Sequence, residues 1–347
     1  MSRTTWVGML VTGACSATQP PPPPVPSAPT ANVVSTPSSD SGLDPLPLAL
    51  PGLFAEGLAW DAARSRLLVS GIVGQSVVAV ELPSGESQPF AEPPRPWSVF
   101  GLGLDPEHDV VWAACSAVPQ GRVLPDPVGP AALVAFSLED GTIVAEHRLE
   151  DDTQHLFGDL TLAPGGTVFV TDTLGGGVYA GSLKADGLAE VVPAKTFRSI
   201  QGIAWVDSTT LIVADYPTGL VRIELDEHQA SRNIEVLQAP PDLDLRGIDG
   251  LALQGRSLAA VQNGAQPPRV LRIELSQDTR TVESAVELSV PDPQAGEPTL
   301  EIFVGDALWV MQTDLWDRVF DADGRPRKDV ELAAPTVARI PWKRRAP

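Results

Sequence analysis

The sequence predicts an all-β chain folded as a six-bladed β-propeller, and three observations lead to this prediction. From about residue 50 onward, short runs rich in Val, Ile, Leu and Trp alternate with Gly, Pro and Asp turn signals, without long helical periodicity. A strand-opening word close to x-Gly-(Leu/Ile)-Ala recurs six times. Each copy is followed by two further strand-like runs, as RLLVSG and SVVAVEL follow the first. A unit of three or four strands repeated in this way is typical of a propeller.

The six copies of the word are regularly spaced. EGLAWD, FGLGLDP, GDLTLAP, QGIAWVD, DGLALQG and PTLEIFVG begin at residues 56, 100, 158, 201, 249 and 298. The longest interval contains a Pro/Gly-rich insertion, QGRVLPDPVGP, at residues 120–130. Small residues in the word suit the innermost strand, where blades crowd the central axis. A pair of β-sandwiches is the alternative, but it explains less well why one word recurs at the same place in every unit.

Two segments precede the predicted propeller, which we assign to residues 50–347. Residues 1–15 have the pattern of a bacterial export signal, and Cys15 follows small residues as in a lipobox, although Thr12 stands where Leu is usual. We therefore expect lipidation at Cys15. Residues 16–49 are rich in Pro and Ser and lack large apolar groups, which predicts a disordered linker. Together they predict an exported protein, lipid-anchored in the cell envelope, with its propeller facing the periplasm or the exterior.

The composition restricts the partners of the chain. Its 347 residues carry 24 Lys plus Arg against 44 Asp plus Glu, a formal net charge of −20. Such an acidic surface repels phosphate backbones, so we expect no nucleic-acid partner. Beyond the N-terminal segment, no run approaches the length needed to span a bilayer, so any membrane contact is through the lipid anchor alone. Cys115 ends the apolar run VVWAAC and is expected to be a buried free thiol.

Oxygen-bearing side chains open several of the six words. In a propeller the first residues of the inner strands converge at one end of the central channel. Those residues are Glu56, Phe100, Gly158, Gln201, Asp249 and Pro298, and Asp159 follows Gly158. Two converging carboxylates repel each other and are costly to desolvate, and a hard cation such as Ca²⁺ or Mg²⁺ relieves both costs. A solvated, merely polar rim is the alternative.

The words FAEGLAWD, GDLTLAPGGTVFVTD, QGIAWVDSTTLIVADY and GIDGLAL resemble those of the gluconolactonase and regucalcin-like (senescence-marker-protein) propellers over roughly residues 50–342. The resemblance implies a six-bladed propeller, a divalent cation in the channel and hydrolysis of sugar lactones. It matches Glu56 and Asp249 to two metal ligands, with Asp249 also a general base. Gln201 and Gly158 stand where the family has Asn, so one ligand is altered and one is missing.

The resemblance leads to a specific set of expected site residues. The expected metal ligands are Glu56, Gln201, Asp249 and, as a substitute for the missing side chain at position 158, Asp159. Ca²⁺ is the expected ion, with Zn²⁺, Mn²⁺ and Mg²⁺ as alternatives. The expected catalytic residues are Asp249 and His155, a second base candidate just before the third word. The expected function is metal-dependent hydrolysis of a small lactone or related ester, and the alternative is a non-catalytic propeller that binds a small ligand or an envelope protein.

Overall fold

A computed structural model describes residues 43–149, 151–288 and 296–342. The predicted export signal, lipidation at Cys15 and most of the predicted linker lie outside these residues. No helix among the described residues has the length and hydrophobicity required to cross a membrane. The described residues form six four-stranded antiparallel sheets. This arrangement confirms the predicted all-β, six-bladed propeller.

The chain builds the blades in sequence order, after a first strand, β1 (Leu43–Pro47), that joins the last blade. Blade one comprises β2 (Phe54–Asp61), β3 (Arg66–Val73), β4 (Val77–Glu81) and β5 (Ser87–Ala91). Blade two comprises β6 (Ser98–Asp105), β7 (Val110–Ser116), β8 (Ala131–Ser137) and β9 (Ile143–Leu149). Blade three comprises β10 (Phe157–Ala163), β11 (Thr167–Asp172), β12 (Gly177–Gly181) and β13 (Ala189–Val192).

The second half of the chain repeats this organisation. Blade four comprises β14 (Ile200–Asp207), β15 (Thr210–Asp215), β16 (Gly219–Leu225) and β17 (Ser231–Val236). Blade five comprises β18 (Leu251–Gln254), β19 (Ser257–Gln262), β20 (Arg269–Leu275) and β21 (Val282–Glu287). Blade six comprises β22 (Glu297–Val304), β23 (Ala307–Thr313), β24 (Thr336–Pro341) and, as its outermost strand, β1.

The position of β1 corrects the predicted domain boundary at residue 50. The last residues of the predicted linker pair with β24, and Leu48 is buried beside them. Arg339 Nε donates a hydrogen bond to the carbonyl oxygen of Asp44 at 2.7 Å, and the Leu48 N–H donates to Pro335 O at 2.9 Å. Proline is tolerated in a strand only at a sheet edge, which is where β1 lies. The two ends of the described chain therefore close the ring within one blade.

The core lies between the flat faces of neighbouring blades. Within the described residues there are six buried apolar clusters, one for each interface between adjacent blades. Leu68 of blade one packs with Val111 of blade two, for example, and Val80 of blade one packs with Met311 of blade six. Every blade is thus held on both faces, and the inner strands are fixed around the channel. Cys115 is buried and unpaired within the first of these interfaces, where burial raises the pKa of its thiol.

Two long loops connect second and third strands at the end of the channel where the inner strands begin, which we call the upper end. The blade-two loop spans residues 117–130, and the blade-six loop spans residues 314–335 and contains α1 (Trp316–Val319). Trp316 and Phe320 pack edge-on against Phe54, with ring centroids 5.7 and 5.0 Å away. These aromatic contacts place the blade-six loop against the upper end of blade one.

Candidate functional site

The inner strands carry an irregularity at their upper ends that defines which residues are equivalent. In blade one, Leu58 pairs with Val69 but Ala55 pairs with Gly71, so the inner strand has one extra residue. The same shift occurs in blades two, three, four and six. Such a bulge redirects side chains and is common next to functional sites. The pairing makes one set of residues equivalent in the six blades: Leu58, Leu102, Leu160, Ile203, Leu251 and Glu301.

This register corrects the expected opening residue of blade six. The residues two places before this set are Glu56, Phe100, Gly158, Gln201, Asp249 and Thr299. Thr299, rather than Pro298, therefore occupies the opening position, and its hydroxyl donates a hydrogen bond to Glu56 O at 2.9 Å. The word in blade six lacks the glycine that aligns four of the others, because Leu300 takes its place. Without that glycine the sequence alone did not determine the register.

The glycine in the word has a steric cause. An added Cβ at Gly57 would lie 2.5 Å from the carbonyl oxygen of Phe100 in the next blade, and one at Gly202 would lie 2.6 Å from that of Asp249. Real Cβ atoms do not approach other atoms so closely. The small residue is therefore required where consecutive inner strands meet, and it brings the opening residues of neighbouring blades together.

Glu56 and Asp249 lie near each other at the upper end of the channel. Oε2 of Glu56 is buried and accepts no hydrogen bond from any described residue. Burial raises the pKa of Glu56 well above its ordinary value, and the negative charge of Asp249 is the next cause, followed by those of Glu297 and Asp159. Burial and the charges of Glu297 and Asp159 likewise raise the pKa of Asp249 to about 7. Glu56 is thus ionised less readily because Asp249 is present, and Asp249 is ionised less readily because of its burial and the charges of Glu297 and Asp159.

Asp249 is held in place by two side chains that the sequence analysis did not identify. Nδ2 of Asn263 donates a hydrogen bond to Oδ2 of Asp249 at 2.7 Å. The hydroxyl of Tyr216 in turn donates to Oδ1 of Asn263 at 3.2 Å. This chain of donors fixes the orientation of the carboxylate and leaves Oδ1 of Asp249 without a hydrogen-bond partner among the described residues. Asn263 ends the run SLAAVQN, and its place at the upper end of a second strand is the only signal in the sequence.

No basic side chain neutralises the acidic groups of the channel among the described residues. Five carboxylates have a raised pKa, with burial as the first cause in every case, and no Lys, Arg or His contributes to any of these shifts. They are Glu56, Asp159, Asp249, Glu297 and Glu301. Glu297 opens β22 and accepts a hydrogen bond from the Trp316 N–H at 3.3 Å, which links it to the blade-six loop. Such a group of buried carboxyls without a basic partner is costly to ionise, and a bound cation would relieve that cost.

Gln201 and Gly158 occupy opening positions of adjacent blades, but only Gln201 offers a side-chain oxygen to a ligand. Nε2 of Gln201 donates to Ser199 Oγ at 3.1 Å, and its Oε1 lies 3.5 Å from Thr173 Oγ1. The amide oxygen therefore has at most a weak partner and is free to bind. At Gly158, an added Cβ would lie 3.0 Å from Thr173 Oγ1, so a larger side chain would need a shift there. Blade three thus contributes no side chain at its opening position.

Asp159 is directed away from the opening position. Its Oδ1 accepts the Leu160 N–H at 2.8 Å and its Oδ2 accepts the Ile203 N–H of the next blade at 3.2 Å. Burial raises its pKa to about 7, against the effect of these two hydrogen bonds. The residue lines a separate cavity further along the channel. The structure therefore places Asp159 below the Glu56 and Asp249 pair.

His155 is buried, with both ring nitrogens in hydrogen bonds. Nδ1 lies 2.6 Å from Asp172 Oδ2, and Nε2 lies 3.1 Å from Asp151 Oδ1 and 3.0 Å from Thr153 Oγ1. Only 1% of the residue surface is exposed. Burial lowers the pKa of His155, but hydrogen bonds and charge from Asp172 and Asp151 outweigh that effect, so the net shift is upward. In this arrangement the imidazole fastens the loop before β10 and does not present a free nitrogen to the channel.

The donors at the upper end fit a hard divalent cation. Within the described residues there is no group of three or more His, Cys, Asp or Glu side chains placed to hold a metal ion. The upper end instead offers the carboxylates of Asp249 and of Glu56, whose Oε2 is unpartnered, and the amide oxygen of Gln201. This is an all-oxygen set, which suits Ca²⁺ or Mg²⁺ completed by water, and it lacks the His or Cys ligands typical of Zn²⁺. We call Glu56, Gln201 and Asp249 the upper site.

Comparison with known proteins supports the fold but does not identify the reaction. No protein-family model matches the chain, and no curated protein is similar to it in sequence. Among solved structures it resembles regucalcin, a calcium-binding protein from Agrobacterium tumefaciens, with 17% identity over 87% of this chain and 96% of that one and a TM-score of 0.58. A gluconolactonase from Xanthomonas campestris matches at 14% identity over 86% and 98% of the chains, with a TM-score of 0.57.

A third structure shows that the same fold occurs in a different context. The major allergen Mala s 1 from Malassezia sympodialis is 11% identical over 86% of this chain and 96% of that one, with a TM-score of 0.66. Sequence identities this low support a similar fold but not a shared activity. The chain is a six-bladed propeller whose fold is similar to those of regucalcin and gluconolactonase.

Proposed function

We propose that this protein is a divalent-metal-dependent hydrolase of small lactones or related esters, acting at the upper site. The observation that carries the proposal is the convergence of Glu56 and Asp249, two buried carboxylates without a basic partner, one of which has an unpartnered oxygen. The similarity of the fold to a gluconolactonase and to a calcium-binding regucalcin supports the same reading. The acidic channel favours an electrically neutral substrate such as a sugar lactone.

The residues of the upper site have separate tasks in this proposal. A divalent cation supplies polarisation of the lactone carbonyl and a lower pKa for water. Glu56 and the amide oxygen of Gln201 would hold the cation. Asp249 accepts the proton of the attacking water and returns it to the ring oxygen as the acyl C–O bond breaks. The product is the open hydroxy acid. Asn263 holds Asp249 in position for this transfer.

Asp249 is a better general base than His155 on this geometry. One oxygen of Asp249, Oδ1, has no hydrogen-bond partner among the described residues, because Asn263 donates to Oδ2. His155 is 1% exposed and both its nitrogens are engaged. A proton acceptor must lie within hydrogen-bond reach of the reacting water, which only Asp249 satisfies without movement of the loop.

The first experiment is hydrolysis of a lactone panel by the wild type and by Asp249→Asn. We expect Asp249→Asn to lower kcat/KM at least about a hundredfold, because general-base catalysis contributes that much, and to retain the folded structure by circular dichroism. Asp242→Asn is the matched control, since Asp242 is exposed in the same loop and undergoes the same chemical change. Unchanged turnover in Asp249→Asn removes this residue from the proposed mechanism.

A non-catalytic propeller that binds a small ligand or an envelope partner is the second candidate. It is favoured by the glycine at position 158, which leaves blade three without a ligand at its opening position. Metal-linked stabilisation without turnover of any lactone in the panel supports this candidate over the hydrolase. Turnover that disappears with EDTA and returns with Ca²⁺ contradicts it.

For cellular location we propose an exported lipoprotein acylated at Cys15. The support is the sequence pattern alone, because residues 1–42 lie outside the described structure. Mass spectrometry of the protein purified from its native membrane is expected to show a lipid-modified N-terminal cysteine, and Cys15→Ser is expected to lose it. An unmodified N-terminus at Met1 contradicts the assignment.

A further inference from the structure

A cavity lined by the inner strands lies beyond the upper site. It has a volume of about 370 Å³ and follows the inner strands toward the ends where they finish. We call it the lower cavity. Most of the side chains that line it are apolar, although polar side chains and backbone atoms also face it. The apolar lining side chains are aliphatic groups of the inner strands and two aromatic rings: Leu58, Leu102, Leu160, Leu162, Ile203, Trp205, Leu251, Leu253 and Phe303. Trp205 and Phe303 are incompletely buried, so the cavity is accessible at that end.

Glu301 is the exception in the wall of the lower cavity. At the equivalent position, the other five blades carry Leu or Ile, and blade six alone carries a carboxylate. The residue is 7% exposed, and neither of its carboxylate oxygens has a hydrogen bond of good geometry among the described residues, although the Ala252 N–H approaches closely enough to offset part of the rise in its pKa. Its side chain occupies space beside Gly250, where a Cβ would collide with Oε2. The glycine thus leaves space for the Glu301 side chain, but the carboxylate oxygens lack well-formed hydrogen bonds.

The other polar side chains of the lower cavity are already engaged. Asp159 accepts two backbone N–H groups, and Thr161 Oγ1 accepts the Trp205 N–H at 3.2 Å. Asp159 nevertheless adds a negative charge close enough to act on Glu301. A ligand that satisfies this cavity must therefore donate hydrogen bonds to Glu301, carry positive charge and present an apolar body to the wall.

A metal ion meets these requirements poorly. Calcium requires about six to eight oxygen ligands, whereas the wall supplies Glu301 together with oxygens that already accept hydrogen bonds. A primary ammonium has three N–H donors and one positive charge, and its organic substituent can pack against Leu, Ile and Trp side chains. The cavity volume lies within the range of about 300 to 1,000 Å³ of small-molecule sites.

We propose that the lower cavity binds an organic ammonium ion, with the charged head at Glu301 and the apolar body along the aliphatic wall toward Trp205 and Phe303. The inference does not require lactone hydrolysis, because the ammonium ion would contact Glu301 and not the upper site, although the negative charge of Asp249 also acts on Glu301. It assigns a function to Glu301 that neither the repeat nor the upper site requires.

Isothermal titration calorimetry with 2-phenylethylammonium chloride tests the proposal, with 2-phenylethanol as the neutral analogue of similar size. We expect the wild type to bind the ammonium ion at least about tenfold more tightly than the alcohol, because a hydrogen bond to a buried charged group contributes that much. Glu301→Gln and Glu301→Leu are expected to weaken ammonium binding at least about tenfold. Glu301→Leu restores the residue type of the other five blades, so its melting temperature is expected to equal or exceed that of the wild type.

Two controls separate this site from others. Glu283→Gln makes the same chemical change on the exposed outer strand of blade five and is expected to bind as the wild type does. Glu56→Gln alters the upper site and is expected to keep the ammonium affinity within about threefold, less than the loss of a buried charged hydrogen bond would cause. Absence of ammonium binding by the wild type, equal affinity for the alcohol, or unchanged binding in Glu301→Gln overturns the proposal. Binding of calcium chloride by the wild type that is lost in Glu301→Gln also overturns the proposal, because Glu301 would then hold a metal ion.

Discussion

Glu56 illustrates how one residue of a repeat acquires a function that its equivalents lack. The bulge and the adjacent glycine are shared by several blades and serve the packing of inner strands. The residue at the opening position is not constrained in this way, and in blade one it is a carboxylate with a buried, unpartnered oxygen. Without a cation this carboxylate faces other negative charges and destabilises the fold.

Replacement of Glu56 by Gln is therefore expected to stabilise the metal-free protein. The neutral amide removes the repulsion with Asp249 and can donate a hydrogen bond to it, so we expect a gain of about 1 to 3 kcal/mol at pH 8. The same variant is expected to lose most of its stabilisation by Ca²⁺. Thermal unfolding in EDTA measures the first effect, and a lower melting temperature than that of the wild type contradicts it.

The sequence determined which residue occupies the opening position of a blade where the repeat supplied an alignment, and it did not where the repeat supplied none. Glu56, Gln201 and Asp249 were found at opening positions because x-Gly-(Leu/Ile) marks those positions. Thr299 was missed because blade six has no such glycine. Asn263 and Tyr216 come from second strands and their loops, and their contacts to the site depend on three-dimensional packing that periodicity does not encode.

At the scale of elements, β1 shows why local composition misplaced a boundary. LDPLP looks like the end of a proline-rich linker, and nothing in its own residues predicts pairing with a segment near residue 339. The pairing is favourable because an edge position in blade six tolerates proline and Leu48 follows into the core. A strand stabilised by contacts so distant in sequence is not visible to sequence patterns.

Leu48→Ala tests this assignment. Leu48 is 1% exposed between blades one and six, so its truncation is expected to cost about 2 to 4 kcal/mol of unfolding free energy. Leu315→Ala is the control, because Leu315 is 52% exposed, and it is expected to change stability by less than about 0.5 kcal/mol. Chemical denaturation measures both. Equal stabilities for wild type and Leu48→Ala would show that residue 48 belongs to the linker and not to the core of the propeller.

The loop before β10 is stabilised by the buried side chain of His155. Removing the imidazole leaves Asp172, which is fully buried, without its side-chain partner. We expect His155→Ala to lose about 2 to 4 kcal/mol of stability, whereas His228→Ala, at an exposed position, is expected to be neutral. If His155→Ala keeps wild-type stability but loses turnover, His155 acts in catalysis and does not stabilise the loop.

At the scale of the whole molecule, the propeller directs its negative charge both outward and into its channel. The formal net charge is −20, and five of the acidic residues line the channel with raised pKa values. Folding gathers these carboxylates because the inner strands converge, which no single blade requires. These buried carboxyl groups therefore make the stability of the metal-free protein depend on pH.

The sign of the pH dependence follows from the raised pKa values. The carboxyls of Asp159 and Asp249 titrate near 7 in the folded protein and near their ordinary value of about 4 when unfolded, so between these pH values the folded state holds more protons. Stability of the metal-free protein is then greatest below pH 4 to 5 as far as these groups are concerned, and it is lost as the pH rises through 7. His155, with its raised pKa, acts in the same direction.

The melting temperature of the wild-type protein between pH 5 and pH 8, in EDTA and with millimolar Ca²⁺, tests the claim that the upper site holds a divalent cation. In EDTA we expect a fall of at least about 3 °C over this range, the effect of about one pKa unit or more. With Ca²⁺ at about a hundred times its dissociation constant, binding contributes about 2.7 kcal/mol and is expected to restore the melting temperature at pH 8 by about 5 °C. Identical melting temperatures in EDTA and in Ca²⁺ at pH 8 contradict the account.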